Sequence, residues 1–243
     1  MQDQTTLPAP SMQSLRVGYS ALVLGASGAI GQAFVTLLQS DPRCASVTAL
    51  SRSSQPGFDF GDPASLERLA LELAGQGPFQ LVIDATGALT LNGRSPEKRL
   101  DELDAQALLD AMSVNAIGPA LLLRHLSPLL DRQRAVLAML SAKVGSIGDN
   151  RLGGWYAYRA SKAALNQLVR TASVELRRSR PQAICVALHP GTVDTGLSAP
   201  FAKSGLQVQA PALAAQRLLT VLAGLKAEDS GEFFDYRGER LPW

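Results

Sequence analysis

Tyr158 and Lys162 stand four positions apart in Tyr158-Arg159-Ala160-Ser161-Lys162, where a segment of helical periodicity begins. Residues i and i+4 share one face of a helix, so a phenol and an ammonium meet there. A cation beside a phenol favours the phenolate and lowers the phenol's pKa. Tyr158 is therefore a candidate general acid/base near neutral pH. Tyr156 lacks this partner, because Ala160 follows at the matching position, and it reads as a pocket wall or packing residue. A second constellation is Gly25-Ala26-Ser27-Gly28-Ala29-Ile30-Gly31, between the apolar run Leu22-Val23-Leu24 and a helix start. Small residues there let the backbone approach a pyrophosphate, and a helix N-terminus offers unpaired N–H groups and positive dipole. A plain strand–helix turn is the competing reading. Its place after the first strand of an alternating chain favours the dinucleotide. The next strand ends at Ser51-Arg52-Ser53, not at the acidic residue that would bind the ribose of NAD. A guanidinium and two hydroxyls suit a 2′-phosphate, which favours NADP over NAD. The alternative for Arg52 is a solvated surface side chain.

These residues need elements to carry them. Leu15–Leu24 reads as a buried strand, Gly25–Gly31 as a turn and Gln32–Gln39 as a helix start. Val47–Leu50, Leu81–Ala85, Ala135–Leu140, Ala183–Leu188 and Glu232–Tyr236 are short apolar strands. Helical spacing covers Pro63–Ala74, Leu103–Val114, Ala120–Leu130, Tyr156–Arg178 and Pro211–Leu225, with a break expected at Gly118-Pro119. Apolar strands alternating with helices predict a doubly wound parallel sheet in three α/β/α layers, the Rossmann type, as a single domain over 15–243. Residues 1–14 read as a mobile tail and 196–210 as a short segment over the substrate.

Composition removes whole classes of function. The chain has 243 residues, 46% hydrophobic and 18% charged, enough for a full core. A net charge of +2 and 5% aromatics give no footprint for nucleic acid or for an anionic membrane. The two cysteines, Cys44 and Cys185, and two histidines make neither a zinc site nor a disulfide framework, so no metal is expected. Free cysteines fit a reducing cytoplasm. The uncharged stretch Val17–Ser40 has the length of a membrane span, but Gly18, Gly25, Gly28 and Gly31 punctuate it. The first residues lack the basic start of a leader peptide.

The glycine turn, the Tyr-x3-Lys helix and Pro190-Gly191-Thr192-Val193-Asp194-Thr195 together resemble the short-chain dehydrogenase/reductase family, in its order and near its spacing. Gly145-Ser146-Ile147, Asn150, Gly153-Gly154 and the tail from Gly231 to Trp243 resemble its C-factor and sniffer-type carbonyl reductase branch. The resemblance implies that Tyr158 donates a proton to a carbonyl oxygen. It implies that Lys162 holds the nicotinamide ribose and lowers the Tyr158 pKa, and that Asn115 holds a water relaying protons to Lys162. Asp59 would meet the adenine amino group, and Pro190, Gly191, Val193 and Thr195 would surround the nicotinamide amide. Homodimers or homotetramers are the family's habit, and the helices Leu103–Leu130 and Tyr156–Arg178 fit that or core packing equally.

Three positions depart from the family pattern. Ala29 replaces a middle glycine. Asp84-Ala85-Thr86-Gly87 replaces Asn-Asn-Ala-Gly, leaving Asp84 as a protonated or hydrogen-bonded acid near the cofactor or as a structural residue. Ser141-Ala142 replaces a serine pair whose second member polarises the carbonyl. Three arrangements then stand open: Ser141 shifts into that role, Ser146 reaches in from the loop, or the donor is absent. His189 and Cys185 read as structural, and Glu97-Lys98-Arg99 as a solvated cluster. The leading expectation is an NADP-dependent oxidoreductase acting on a small-molecule carbonyl or alcohol. A nucleotide-binding signalling or sensor protein with vestigial chemistry is the alternative. A nucleotide-sugar epimerase or dehydratase would need a larger segment after Thr195 than the sequence holds.

Overall fold

In the computed structural model, residues 11–54, 57–195 and 208–243 are described. Strands β1 (Tyr19–Leu24), β2 (Cys44–Leu50), β3 (Leu81–Asp84), β4 (Ala135–Leu140) and β5 (Ala183–His189) join a short C-terminal strand, Phe233–Asp235, in one sheet. That last strand is β8, because two two-residue strands precede it, β6 (Thr192–Val193) and β7 (Val208–Gln209). The six-stranded order is β2-β1-β3-β4-β5-β8, and every pairing is parallel. β3 and β4 are buried throughout, as strands covered on both faces must be.

The two-residue period of the strands divides the core. Leu22, Val82, Leu137 and Cys185 face one side, where they pack with α2 (Pro63–Leu73), α4 (Gly118–Leu126) and α5 (Tyr156–Ser179). Ala21, Val23, Ile83 and Val186 face the other, against α1 (Ala29–Ser40) and α6 (Pro211–Gly224). The doubly wound, single-domain expectation is met.

Register sets where the site lies. Leu24 pairs with Leu50 and with Asp84, Asp84 with Met139, and Leu140 with Leu188. The carboxyl ends of five strands therefore finish at one edge. The chain runs outward on opposite sides of β1, to β2 and to β3, which opens a crevice at that edge.

Several local expectations change. The break at Gly118-Pro119 does not form. Helix α3 (Ala105–Met112) passes through a π-helical turn at Ser113–Ile117 into α4, with Pro119 in the first turn of α4. The π turn just before Pro119 departs from the regular i to i−4 ladder, which is where a residue without an N–H is accommodated inside a helical run. The joined run Ala105–Leu129 is long and apolar enough to cross a membrane by length and composition; here it packs along α5 and α2 beside the sheet. The β6–β7 pair was not expected, and of the expected substrate segment residues 196–207 lie outside the described residues.

Strand β1 begins at Tyr19, later than expected, yet the chain before it is held. Residues 1–10 of the expected tail lie outside the described residues, but Met12 is 1% exposed and Leu15 2%. The Met12 N–H and the Tyr19 hydroxyl both donate to Asp41 Oδ2, at 3.1 and 3.0 Å. A buried carboxylate thus collects donors from two segments, which corrects the mobile reading for Met12. Met12→Ala should lower unfolding free energy by about 2–5 kcal/mol, as cavity-forming core truncations do. Urea denaturation checks this, and a loss below about 0.5 kcal/mol would return Met12 to the surface class.

Candidate active site

The turn after β1 is built for close backbone approach. Gly25 has φ +76°, and a Cβ there would lie 2.8 Å from the Ala85 carbonyl. A Cβ on Gly31 would overlap the Gly25 carbonyl. Ala29 is already helical, with Gly28 as the N-cap, so its φ suits an ordinary residue and the missing middle glycine costs nothing. The Gln32 N–H reaches the Gly28 carbonyl, which leaves the first-turn N–H groups of α1 for a ligand.

Two adjoining cavities follow the crevice. One of about 650 Å³ is lined by Gly25, Ser27, Gly28, Ser51, Arg52 and Asp59. One of about 230 Å³ is lined by Ile30, Ser141, Tyr158, Lys162, His189, Pro190, Gly191, Val193 and Thr195, among others. Ala85, Thr86 and Gly87 belong to both walls. Such a trench, with a glycine cradle at one end, fits a dinucleotide. Ser53 is not in the wall: its hydroxyl pairs with Ser51 Oγ at 3.2 Å, and Ser51 faces the trench instead. Gly191, at φ +78°, closes the far side, where a Cβ would meet Gln209 and Tyr236.

Around Tyr158 the polar groups are tightly organised. Lys162 is 3% exposed and donates from Nζ to the Leu140 carbonyl at 2.9 Å. Asn115, wholly buried in the π turn, accepts from the Ala88 N–H at 2.8 Å and donates to the Ala88 carbonyl at 2.9 Å. Its Oδ1 and the Lys162 Nζ each come within 3.1 Å of where a Cβ on Gly87 would stand, so only glycine lets them converge. Asp84 accepts the Thr86 N–H at 2.9 Å, beneath the crevice.

Burial governs the charges. It brings Lys162 down to about 8, against the upward pull of Asp84, and it pushes the Asp84 carboxyl up, against Thr86 and Lys162. It also pushes the Tyr158 phenol up. The lowering expected from Lys162 is not the direction found: burial governs this phenol, and burial raises it. His189 falls to about 4 through burial, so its ring is neutral.

The open serine question narrows. Ser141 is in the wall of the smaller cavity; Ser146 is buried, accepts the Asp149 N–H at 3.1 Å and lies outside that wall. Ser141 donates to Asn166 Oδ1 at 2.6 Å. Asn166 is missing from the sequence reading, where one helical Asn has no distinguishing signal. Glu97 was misread as solvated. It is 7% exposed, and its carboxylate accepts the Ala157 N–H at 3.2 Å while its carbonyl accepts the Trp155 N–H. The residue before α5, Trp155, sits at φ +55° without a side-chain cap, so Glu97 caps α5 from 60 positions away in sequence. Spacing cannot reveal such a partner.

Residues 41–221 match the family described as enoyl-(acyl carrier protein) reductase. The chain is similar to the C-signal of Myxococcus xanthus, 40% identical over 147 residues, covering 59% of this chain and 83% of that one. It is 30% identical over 200 residues to a 1-hydroxy-2-glutathionyl-2-methyl-3-butene dehydrogenase of Rhodococcus sp. (strain AD45), covering 82% and 84%. An NADPH-bound carbonyl reductase from chicken fatty liver superposes with a TM-score of 0.79 at 28% identity, over 94% of this chain and all of that one.

Glu97→Ala should cost about 0.5–2 kcal/mol, the range for a lost N-terminal cap. Hydrogen exchange at residues 157–159 should speed up while the sheet stays protected. Unchanged exchange there would remove Glu97 as the cap.

Proposed function

The chain belongs to the short-chain dehydrogenase/reductase family, and on that premise we propose that it is an NADPH-dependent carbonyl reductase of small or medium, rather apolar aldehydes or ketones, working in a reducing cytoplasm. One observation carries this reading: Tyr158, Lys162 and Ser141 share the wall of a cavity that continues into the glycine-turned trench. Gly25, Gly28 and the first turn of α1 would hold the pyrophosphate, Arg52 the 2′-phosphate, Asp59 the adenine and Lys162 the nicotinamide ribose. Bound NADPH supplies the hydride.

The protein's own part is proton supply and alignment. Tyr158 is protonated at neutral pH, the form needed to protonate the oxygen of a reduced carbonyl. Ser141, in the wall of the same cavity, would polarise that carbonyl. Lys162, tied to Leu140, would lend a positive charge to the same wall as the phenol's proton departs. Leu89, Val144, Trp155 and Val193 give the cavity an apolar lining, which suits an apolar substrate. A second reading, a nucleotide-binding signalling or sensor protein, is favoured by the 40% identity to C-signal and by Ala142 at the usual serine position. It predicts tight cofactor binding and no turnover.

NADPH and NADH oxidation across a panel of carbonyls, including 4-nitrobenzaldehyde, separates the two readings. Tyr158→Phe should lose about 10²–10⁴ in kcat with NADPH affinity unchanged. Arg52→Ala should weaken NADPH about 10–100-fold and leave NADH alone. Full activity in Tyr158→Phe sinks the reductase assignment; tight NADPH binding without any turnover by the wild type supports the sensor.

The rate should also carry an alkaline limb. Lys162 titrates at about 8, so its charge is present below that pH and lost above it. Asp84 holds the ammonium up, so Asp84→Asn should move the limb to lower pH. A pH profile of kcat/KM reads the direction, and a limb that stays or rises contradicts the pairing.

A further inference from the structure

The Ser141–Asn166 pair contains a conflict. Ser141 Oγ donates its one proton to Asn166 Oδ1 at 2.6 Å. A hydroxyl with its proton spent in this way presents only lone pairs to the cavity, and lone pairs repel a carbonyl oxygen. At the same time Asn166 is 3% exposed, and its Nδ2 is buried with no hydrogen-bond partner among the described residues. Buried N–H groups are rarely left without a partner. One rotation answers both problems. With the Asn166 amide turned end for end, Nδ2–H donates to Ser141 Oγ, and the hydroxyl proton is released toward the cavity that Ser141 lines. The orphaned atom is then a carbonyl oxygen, which is tolerated more readily than an orphaned N–H.

We propose that Asn166 is a positioning residue whose amide sets the direction of the Ser141 proton, turning that hydroxyl into the donor for a substrate carbonyl. The inference rests on the reductase reading and deepens it. Asn166 sits on α5 one turn beyond Lys162, so the helix that supplies the acid also orients the second donor. It also accounts for Ala142. The hydroxyl usually expected there is replaced by its neighbour, and the neighbour needs an amide behind it to point the right way. Asn166 touches no substrate; it acts through Ser141.

Asn166→Asp is the sharp variant, because an ionised carboxylate only accepts and holds the Ser141 proton away from the cavity. Asn166→Leu removes the acceptor and leaves the proton free but unaimed. With full-length protein, NADPH and 4-nitrobenzaldehyde, Ser141→Ala and Asn166→Asp should each lose about 10²–10³ in kcat, the scale for one lost donor to a carbonyl oxygen. KM and NADPH affinity, read by fluorescence titration, should stay within about threefold, which also shows that each variant folds. The Ser141→Ala/Asn166→Asp double variant should be no slower than the slower single, as expected for residues acting as one unit. Asn166→Leu should lose about tenfold, less than Asn166→Asp, and the Asn166→Asp rate should recover relative to wild type toward acid pH as its carboxyl gains a proton to donate. A packing role alone predicts none of this pH recovery. Wild-type kcat in Asn166→Asp, multiplicative losses in the double variant, or a ratio of Asn166→Asp to wild type that does not change with pH overturns the inference while leaving Ser141 in place. Wild-type kcat in Ser141→Ala overturns Ser141 as donor, and Asn166 with it. No turnover by the wild type on any carbonyl of the panel removes the reductase reading itself.

Discussion

A buried ammonium holds the site together. Lys162 lies on α5, is almost wholly enclosed, and spends one N–H on the Leu140 carbonyl at the end of β4. A charge taken out of water must be paired and hydrogen-bonded, or it loses its proton. The surroundings do both in part: Leu140 accepts, Asp84 supplies opposite charge, and Asn115 Oδ1 converges on the same space over Gly87. The compensation is incomplete, so the ammonium titrates at about 8 instead of near its ordinary value. That marginal state is useful for proton transfer and demanding for the fold. It requires β3, β4, the π turn and α5 to be mutually fixed.

The sheet register meets that demand. Asp84 opposite Met139 and Leu140 opposite Leu188 bring the ends of β3, β4 and β5 level. Gly87 and Ser141, from the loops that leave β3 and β4, then line one wall together with His189, the last residue of β5. The π turn at Ser113–Ile117 brings Asn115 to the same edge inside a continuous helix, in the manner of π-bulges found at functional sites. Substituting any one wall residue is a local matter; shifting the register by one residue would exchange the two faces of a strand and dismantle the wall.

Polar groups behind the wall matter as much as those in it. Glu97 caps the helix whose first residue is poorly placed to cap itself, and Asn166 contacts the Ser141 hydroxyl in the wall. Both are buried, both act through another residue, and neither belongs to a local pattern. They share a physical logic: a reacting group on a helix is only as well aimed as its backbone and its hydrogen-bond partners.

By itself the sequence determined the alternation of apolar strands with helices, the glycine turn, Arg52 after the second strand, and the Tyr158–Lys162 pair. Each rests on local spacing, and local spacing is what a helix or strand period enforces. The joint order of these motifs was enough to identify the family. Tertiary structure decided what depends on distant partners. The joined α3–α4 run, the burial of Met12 against Asp41, the Glu97 cap and the Ser141–Asn166 contact all link residues whose separation follows no period. Tertiary structure also set the charges. Spacing put a cation near Tyr158 and suggested a lowered phenol pKa. Burial, which no spacing encodes, moves that pKa the other way, upward.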